Sequence, residues 1–160
     1  MVYVIHDNGK YNAVVFCNFI LPDTETISLD RLYKLYNIKN SSDISSISVV
    51  DDWYSKKVIG STLTNASVIS KFYNASLILR DYSNDDYHEK KYGHIATEEE
   101  LVQAYEETAD NEITIMLETS DGLRFCLEYD AEGGWIYSNG TLRYYQVTDE
   151  ITRWFSKNLK

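Results

Sequence analysis

The chain has 160 residues, of which 44% are hydrophobic and 25% charged, with one proline, seven glycines and two cysteines. That apolar content excludes collagen-like, low-complexity and wholly disordered classes, and a chain of this length buries about 68–70% of its unfolded surface without a metal or disulfide staple. Twenty-five acids against 15 bases give a formal charge of −10, the wrong sign for a direct nucleic-acid binder, which needs a basic face.

Val2 to Ile5 and Tyr11 to Ile20 are β-branched and aromatic runs flanking Asp7-Asn8-Gly9, which predicts a hairpin stopped at Pro22. Ser28 offers an N-cap to a short helix with Leu29, Leu32, Leu35 and Tyr36 on one face. It fades at Asn37 to Asn40, and Ser41-Ser42-Asp43 is expected to be a loop. Ile44, Ile47, Val49 and Val50 begin a strand running toward Trp53 and Tyr54. Thr64 or Asn65 caps a second helix with Val68, Ile69 and Phe72 inward, followed by a short buried strand at Leu77-Ile78-Leu79.

Asp81 to Gly93 is polar throughout and has no apolar period, so a long loop or linker is expected there. Thr97 and Glu100 then form a capping box, opening a helix whose expected inward stripe is Leu101, Val102, Tyr105 and Ala109. Strands follow at Ile113 to Glu118, Leu123 to Tyr129, Trp135 to Ser138 and Thr141 to Val147, with turns at Ser120-Asp121-Gly122, Gly133-Gly134 and Asn139-Gly140. Thr148 caps a last helix with Ile151, Trp154, Phe155 and Leu159 on its apolar side.

Hairpins dominate, and no regular strand–helix alternation demands a parallel sheet. The expected class is α+β, with antiparallel hairpins or a meander and three to four short helices. Two small subdomains, 1–80 and 94–160, would flank the loop or linker at 81–93. The start of the chain lacks a basic and apolar leader, and its longest nearly apolar run, Ala13 to Leu21, falls far short of the ~20 residues of a membrane helix. A cytoplasmic location without membrane contact is expected. Cys17 and Cys126 lie in apolar, strand-like stretches, as inert core thiols do.

The charge is uneven. Residues 1–80 hold 7 acids and 8 bases, and residues 81–160 hold 18 acids and 7 bases. From Tyr92 to Leu123 there is no lysine or arginine, only Glu98, Glu99, Glu100, Glu106, Glu107, Asp110, Glu112, Glu118 and Asp121 among charged residues. Helical spacing puts Glu99, Glu106 and Asp110 on one side, with Glu107 beside them. Such a face serves solubility, a cation, or docking of a basic partner by imitation of the phosphate rows of DNA. Glu98, Glu99, Glu106, Glu107, Asp110 and Glu112, with Asp85 and Asp86, are the candidate partner-binding residues.

Catalytic signals are weak. Asp85, Asp86, His88, Glu89 and His94 fall close together but lack helical His-x-x-x-His spacing or a cysteine partner. Glu89-Lys90-Lys91 has the Glu-x-Lys form of one nuclease class in a polar context that does not suit it. Tyr82, Tyr87, Tyr92 and Tyr137 lie in or near polar segments, where they would be either exposed anchors or packing residues. No catalytic residue, metal site or cofactor is assigned.

Val2-Tyr3-Val4, Gly9-Lys10-Tyr11-Asn12, Phe19 and Leu21-Pro22 together resemble the opening of the ArdA-type antirestriction proteins. The helix Leu29 to Tyr36 and the strand ending Val49-Val50-Asp51-Asp52-Trp53-Tyr54 sit roughly where that family has a helix and an Asp-Tyr-ended strand, so the resemblance covers about residues 2–54. It implies a mimic of duplex DNA, carried by phages or mobile elements, that occupies the DNA channel of restriction enzymes, commonly as a dimer. The expected function is therefore a non-enzymatic inhibitor of a basic nucleic-acid-handling defence enzyme, a restriction or CRISPR nuclease, without direct nucleic-acid binding and compatible with a homodimer. An immunity protein against a basic toxin nuclease would use the same surface. A small metal-dependent hydrolase would instead use Asp85, Asp86, His88 and His94.

Overall fold

Short runs with alternating burial dominate the second half, and they pair as the strand propensities dictate. The computed structural model describes residues 28–138 and 141–159, together with the paired strands 3–7 and 12–16. The N-terminal strands β1 (Tyr3–Asp7) and β2 (Asn12–Phe16) form an antiparallel hairpin, in register from Tyr3 opposite Phe16 to Asp7 opposite Asn12. The Asn8-Gly9 turn, Cys17, Phe19, the stop at Pro22 and the Asn139-Gly140 turn lie outside the described residues.

The main sheet has seven strands: β3 (Ile44–Val50), β4 (Val58–Leu63), β5 (Asp81–Tyr82), β6 (Glu112–Thr119), β7 (Arg124–Asp130), β8 (Trp135–Ser138) and β9 (Arg143–Gln146). They lie in the order β4-β3-β6-β7-β8-β9-β5, and every neighbouring pair is antiparallel. Among the described residues five helices accompany them: α1 (Leu29–Leu35), α2 (Ala66–Ser76), α3 (Asn84–Tyr92), α4 (Glu98–Asn111) and α5 (Asp149–Asn158). The α+β class and antiparallel meander therefore hold, with one more helix than the sequence suggested.

Alternation along the strands sorts side chains to two faces. On the first, Ile115 and Leu117 of β6, Leu127 and Tyr129 of β7, Ile136 of β8 and Tyr145 of β9 meet α1, α2 and α5 in one core containing Leu29, Tyr33, Phe72, Trp154 and Phe155. Tyr33 is fully buried, and its hydroxyl meets Ser76 Oγ at 2.7 Å. Burial holds that phenol far above its ordinary pKa, against the opposing Ser76 bond. Both halves of the chain contribute to this core, and β3 of the first half pairs with β6 of the second.

Residues 81–93 are not a loop. β5 pairs with β9, and α3 is a two-and-a-half-turn helix. It escapes an apolar-period search because its inward residues are Tyr87, His88, Lys91 and Tyr92 (i, i+1, i+4, i+5), half-buried or buried but polar in composition. Its end signals are present in the sequence. Ser83 caps it by accepting from the Asp86 amide at 3.1 Å, Asp85 and Asp86 occupy the first turn, Lys90 and Lys91 the last, and Gly93 the C-cap.

Three smaller expectations also change. Ser41–Asp43 is a 3-10 turn with a capping box between Asn40 and Asp43. Leu77 to Leu79 end α2 rather than form a strand, so Leu79 is buried while Ile78 is 73% exposed. β3 stops at Val50, and residues 51–57 turn back into β4, an edge strand whose largely exposed side chains gave no clear alternation.

Candidate protein-docking surface

Thr97 starts α4, its hydroxyl accepting the Glu100 amide at 3.3 Å; the return bond from the Glu100 carboxylate is not formed. The inward stripe is Leu101, Ala104 and Thr108 (i, i+3, i+7), rather than Leu101, Val102, Tyr105 and Ala109. Small residues face inward because the space is filled from the other side by tyrosines: the Thr108 and Tyr92 hydroxyls meet at 3.0 Å, and Leu101 and Ala104 pack on the second core. Val102 and Tyr105 are left 50% and 38% exposed, so α4 presents apolar as well as acidic groups to solvent.

All six acids of α4 are exposed. Glu98, Glu99 and Glu100 occupy the first turn, where the helix dipole favours them, whereas no base offsets Glu106, Glu107 and Asp110 toward the other end. Glu107 accepts from Gln103 at 2.8 Å, and the carboxylates of Glu98, Glu99, Glu100, Glu106 and Asp110 have no partner among the described residues. Glu106 and Glu107 lie four and three residues before Asp110, and each like-charge pair at such spacing costs a few tenths of a kcal/mol.

The remaining candidates divide. Glu112 continues the surface at the C-cap of α4, beside Glu128 and Asp130. Desolvation first, then those two carboxylates, raise its carboxyl above the ordinary value, with Lys91 opposing. Asp85 and Asp86 are exposed at the start of α3, but Asp86 is engaged locally, accepting from the Ser83 hydroxyl at 2.8 Å.

Beneath this surface lies an aromatic core on the second face of the sheet. Tyr82, Tyr87, Tyr92 and Trp135 are buried together, so three of the tyrosines weighed as exposed anchors are packing residues. Tyr87 stacks on Tyr144 with centroids 3.6 Å apart and meets Trp135 edge-on at 5.1 Å. Burial, followed by the Tyr92 hydroxyl, drives the Tyr87 phenol far above its ordinary pKa. Tyr137 is half-buried on the same face and tilts against Tyr144. Where α3 and α4 meet, Tyr105 contacts Tyr92 edge-on at 4.7 Å and its hydroxyl reaches His88 Nδ1 at 3.2 Å.

An ion pair locks this layer to the sheet. Lys91 Nζ bonds Asp130 Oδ2, with both side chains largely buried, and the ammonium lies over the Tyr92 ring at 5.2 Å. Asp130 Oδ1 accepts the Gly133 amide at 2.8 Å. Glycine is required there: a Cβ at Gly133 would lie 2.1 Å from Asp130 Oδ2 and 3.1 Å from Lys91 Nζ.

The enzymatic candidates do not gather. Among the described residues no group of three His, Cys, Asp or Glu side chains is placed to hold a metal ion. Glu89-Lys90-Lys91 is helical, and Lys91 is committed to Asp130. Burial pushes the Cys126 thiol up to about 11, against a weaker pull from Lys56, which leaves it a poor nucleophile. Among the described residues no helix is long and apolar enough to cross a membrane.

Sequence reasoning missed the 51–57 turn as a surface feature. Asp51 Oδ1 accepts from the amides of Asp52 and Lys57, and Asp52 Oδ1 from those of Tyr54 and Ser55. That network displays Trp53 against Tyr54, which is 76% exposed. The doubled aspartate before Trp-Tyr was the available signal, since Asp side chains bond backbone amides one to three residues on. No protein-family model, curated protein or solved structure matches this chain.

Proposed function

We propose that the protein is a non-enzymatic acidic inhibitor of the anti-defence type, which blocks a nucleic-acid-handling enzyme such as a restriction or CRISPR nuclease by occupying its basic DNA channel. The observation carrying this reading is α4: six exposed carboxylates in a 14-residue helix, within a stretch from Tyr92 to Leu123 that holds no lysine or arginine. Charge left uncompensated near the C-terminal end of a helix costs stability without structural return, whereas it gains Coulomb energy against a basic channel. Mounting it on a helix orders the backbone before binding, so that only the side-chain cost of about 0.5–1.5 kcal/mol per immobilised carboxylate remains. The resemblance of residues 2–54 to ArdA-type proteins supports the same class of target.

Charge density sets the scale. Fourteen helical residues extend ~21 Å, a length over which duplex DNA presents roughly 12 phosphates. The six acids of α4 supply about half of that, so Glu112, Glu128 and the start of α3, or a second subunit, complete the footprint. Changing Glu99, Glu106 and Asp110 together to lysine is expected to abolish inhibition of DNA cleavage by the target nuclease while leaving the fold intact and the thermal midpoint no more than slightly altered, because all three are exposed. Inhibition that survives the triple change would place the active surface elsewhere. The parent's inhibition should weaken steeply between 50 and 500 mM salt, as screening of exposed charge requires.

A further inference from the structure

The first face of the sheet carries a groove whose charge opposes that of α4. Helices α2 and α5 pack together there, joined by the Trp154 indole N–H donating to the Val68 carbonyl at 2.9 Å. Between them is a cleft of about 230 Å³ with Val68, Ala75 and Trp154 among its apolar lining. Lys71 lines it from α2, and Arg153 and Lys157, one turn apart on α5, line it from the other side. Helical spacing makes this arrangement: residues 68, 71 and 75 share one face of α2, and residues 153, 154 and 157 share one face of α5.

Lys71, Arg153 and Lys157 are exposed, and none of their side chains makes an ion pair or hydrogen bond among the described residues. Other described bases of the second half are engaged, among them Lys91 with Asp130, Arg124 with Glu118, and Lys90 over the Tyr82 ring. One carboxylate, Glu150, lines the cleft against these three cations. An indole rim fixed by its bond to the Val68 carbonyl, small apolar neighbours and surplus cations suit a ligand with an apolar body and a negative head. The volume lies just below the ~300–1,000 Å³ of drug-sized ligand pockets, which sets the ligand at fragment size.

We propose that the α2–α5 groove binds a small amphiphilic anion, a carboxylate on a short apolar body, seated on Trp154 and held by Lys71, Arg153 and Lys157. The site lies on the face of the sheet opposite α4, so it stands independently of the inhibitor reading.

The test uses the full chain and sodium octanoate as probe, followed by two-dimensional ¹H–¹⁵N NMR. Octanoate is expected to shift the Trp154 indole and the Val68 and Ala75 amides saturably, and to bind roughly tenfold more tightly than octanol, which shares its tail but lacks the charge. Octylammonium should leave those signals unmoved. The exposed-site variant K71Q/R153Q/K157Q should retain the parent's thermal midpoint and lose the preference for octanoate over octanol. Equal affinity for octanoate and octanol, non-saturating shifts scattered over the surface, or undiminished preference in the triple variant would overturn the proposal. The lysine variant of α4 should bind octanoate like the parent, so failure at either surface is read separately.

Discussion

Beneath α1, α2 and α5 the sheet presents Ile115, Leu117, Leu127 and Ile136, whereas beneath α3 and α4 it presents Trp135, Tyr144 and Asp130. The first layer is held mainly by apolar contact, which has no preferred direction and little dependence on pH. The first layer also holds directional contacts, such as the Tyr33–Ser76 hydroxyl pair and the Trp154–Val68 bond, within its larger apolar core, whereas the second is smaller, richer in tyrosine, and adds to its stacked rings and hydroxyl pairs the largely buried Lys91–Asp130 bond. Directional bonds suit the side that carries the acidic helix. They fix α4 through small residues and tyrosines, leaving its carboxylates exposed and the helix positioned.

The two layers should differ most at Asp130. Asp130→Ala strands a largely buried ammonium beside Tyr87 and Tyr92, and should cost about 3–5 kcal/mol in urea unfolding. Leu117→Ala, at the centre of the other layer and fully buried, should cost about 2–5 kcal/mol, and by the same amount at pH 5 and pH 8. A strong pH dependence for the leucine variant would dissolve the distinction between the layers. The smallest effect belongs to Glu112. Its folded-state pKa is raised, so its contribution to stability is complete below the unfolded value and is lost as pH rises through the higher folded one. Glu112→Gln should therefore raise the melting temperature at pH 7 by a small margin, within the ~1 kcal/mol of partly exposed charges, and the gain should vanish near pH 4. A gain that persists undiminished at pH 4 would mean that charge is not its cause.

The same contrast governs what the sequence made legible. α2 and α5 face an apolar layer, so Ile69 and Phe72, and Ile151, Trp154 and Phe155, mark their inward sides at helical spacing. α3 faces the polar layer, and Tyr87, His88, Lys91 and Tyr92 carry no apolar period although they are the packing face. On α4 the same cause shifts the inward stripe: Ala104 and Thr108 look too small and polar to pack, and Val102 and Tyr105 look too apolar to be outside. The meander from β6 to β9 was readable from alternation and turn chemistry. The acids of α4 were readable as a surface because exposed charge requires no knowledge of what lies beneath it. The basic groove was not, since Lys71 and Arg153 are 82 residues apart and only helix packing brings them together.

The strand order has a consequence for the sequence of events in folding. From β6 to β9 each strand pairs with its chain neighbour, and the closure joining Asp130 to Trp135 spans five residues. The two flanking additions are long-range: β3 joins β6 with Val50 opposite Thr114, and β5 joins β9 with Tyr82 opposite Tyr144. Those closures span 64 and 62 residues, nearly four doublings beyond the meander turn, and each doubling costs about 0.6 kcal/mol in chain entropy. Residues 112–146 are thus the segment able to assemble on local contacts; once it has, residues 51–111 remain free to close for β3 but only residues 83–111 for β5, so the β5 addition on the opposite edge is cheaper by about one doubling, ~0.6 kcal/mol. β5 contributes only two residues to the ladder, so its closure is repaid largely by the rings and ion pair of α3 rather than by strand pairing.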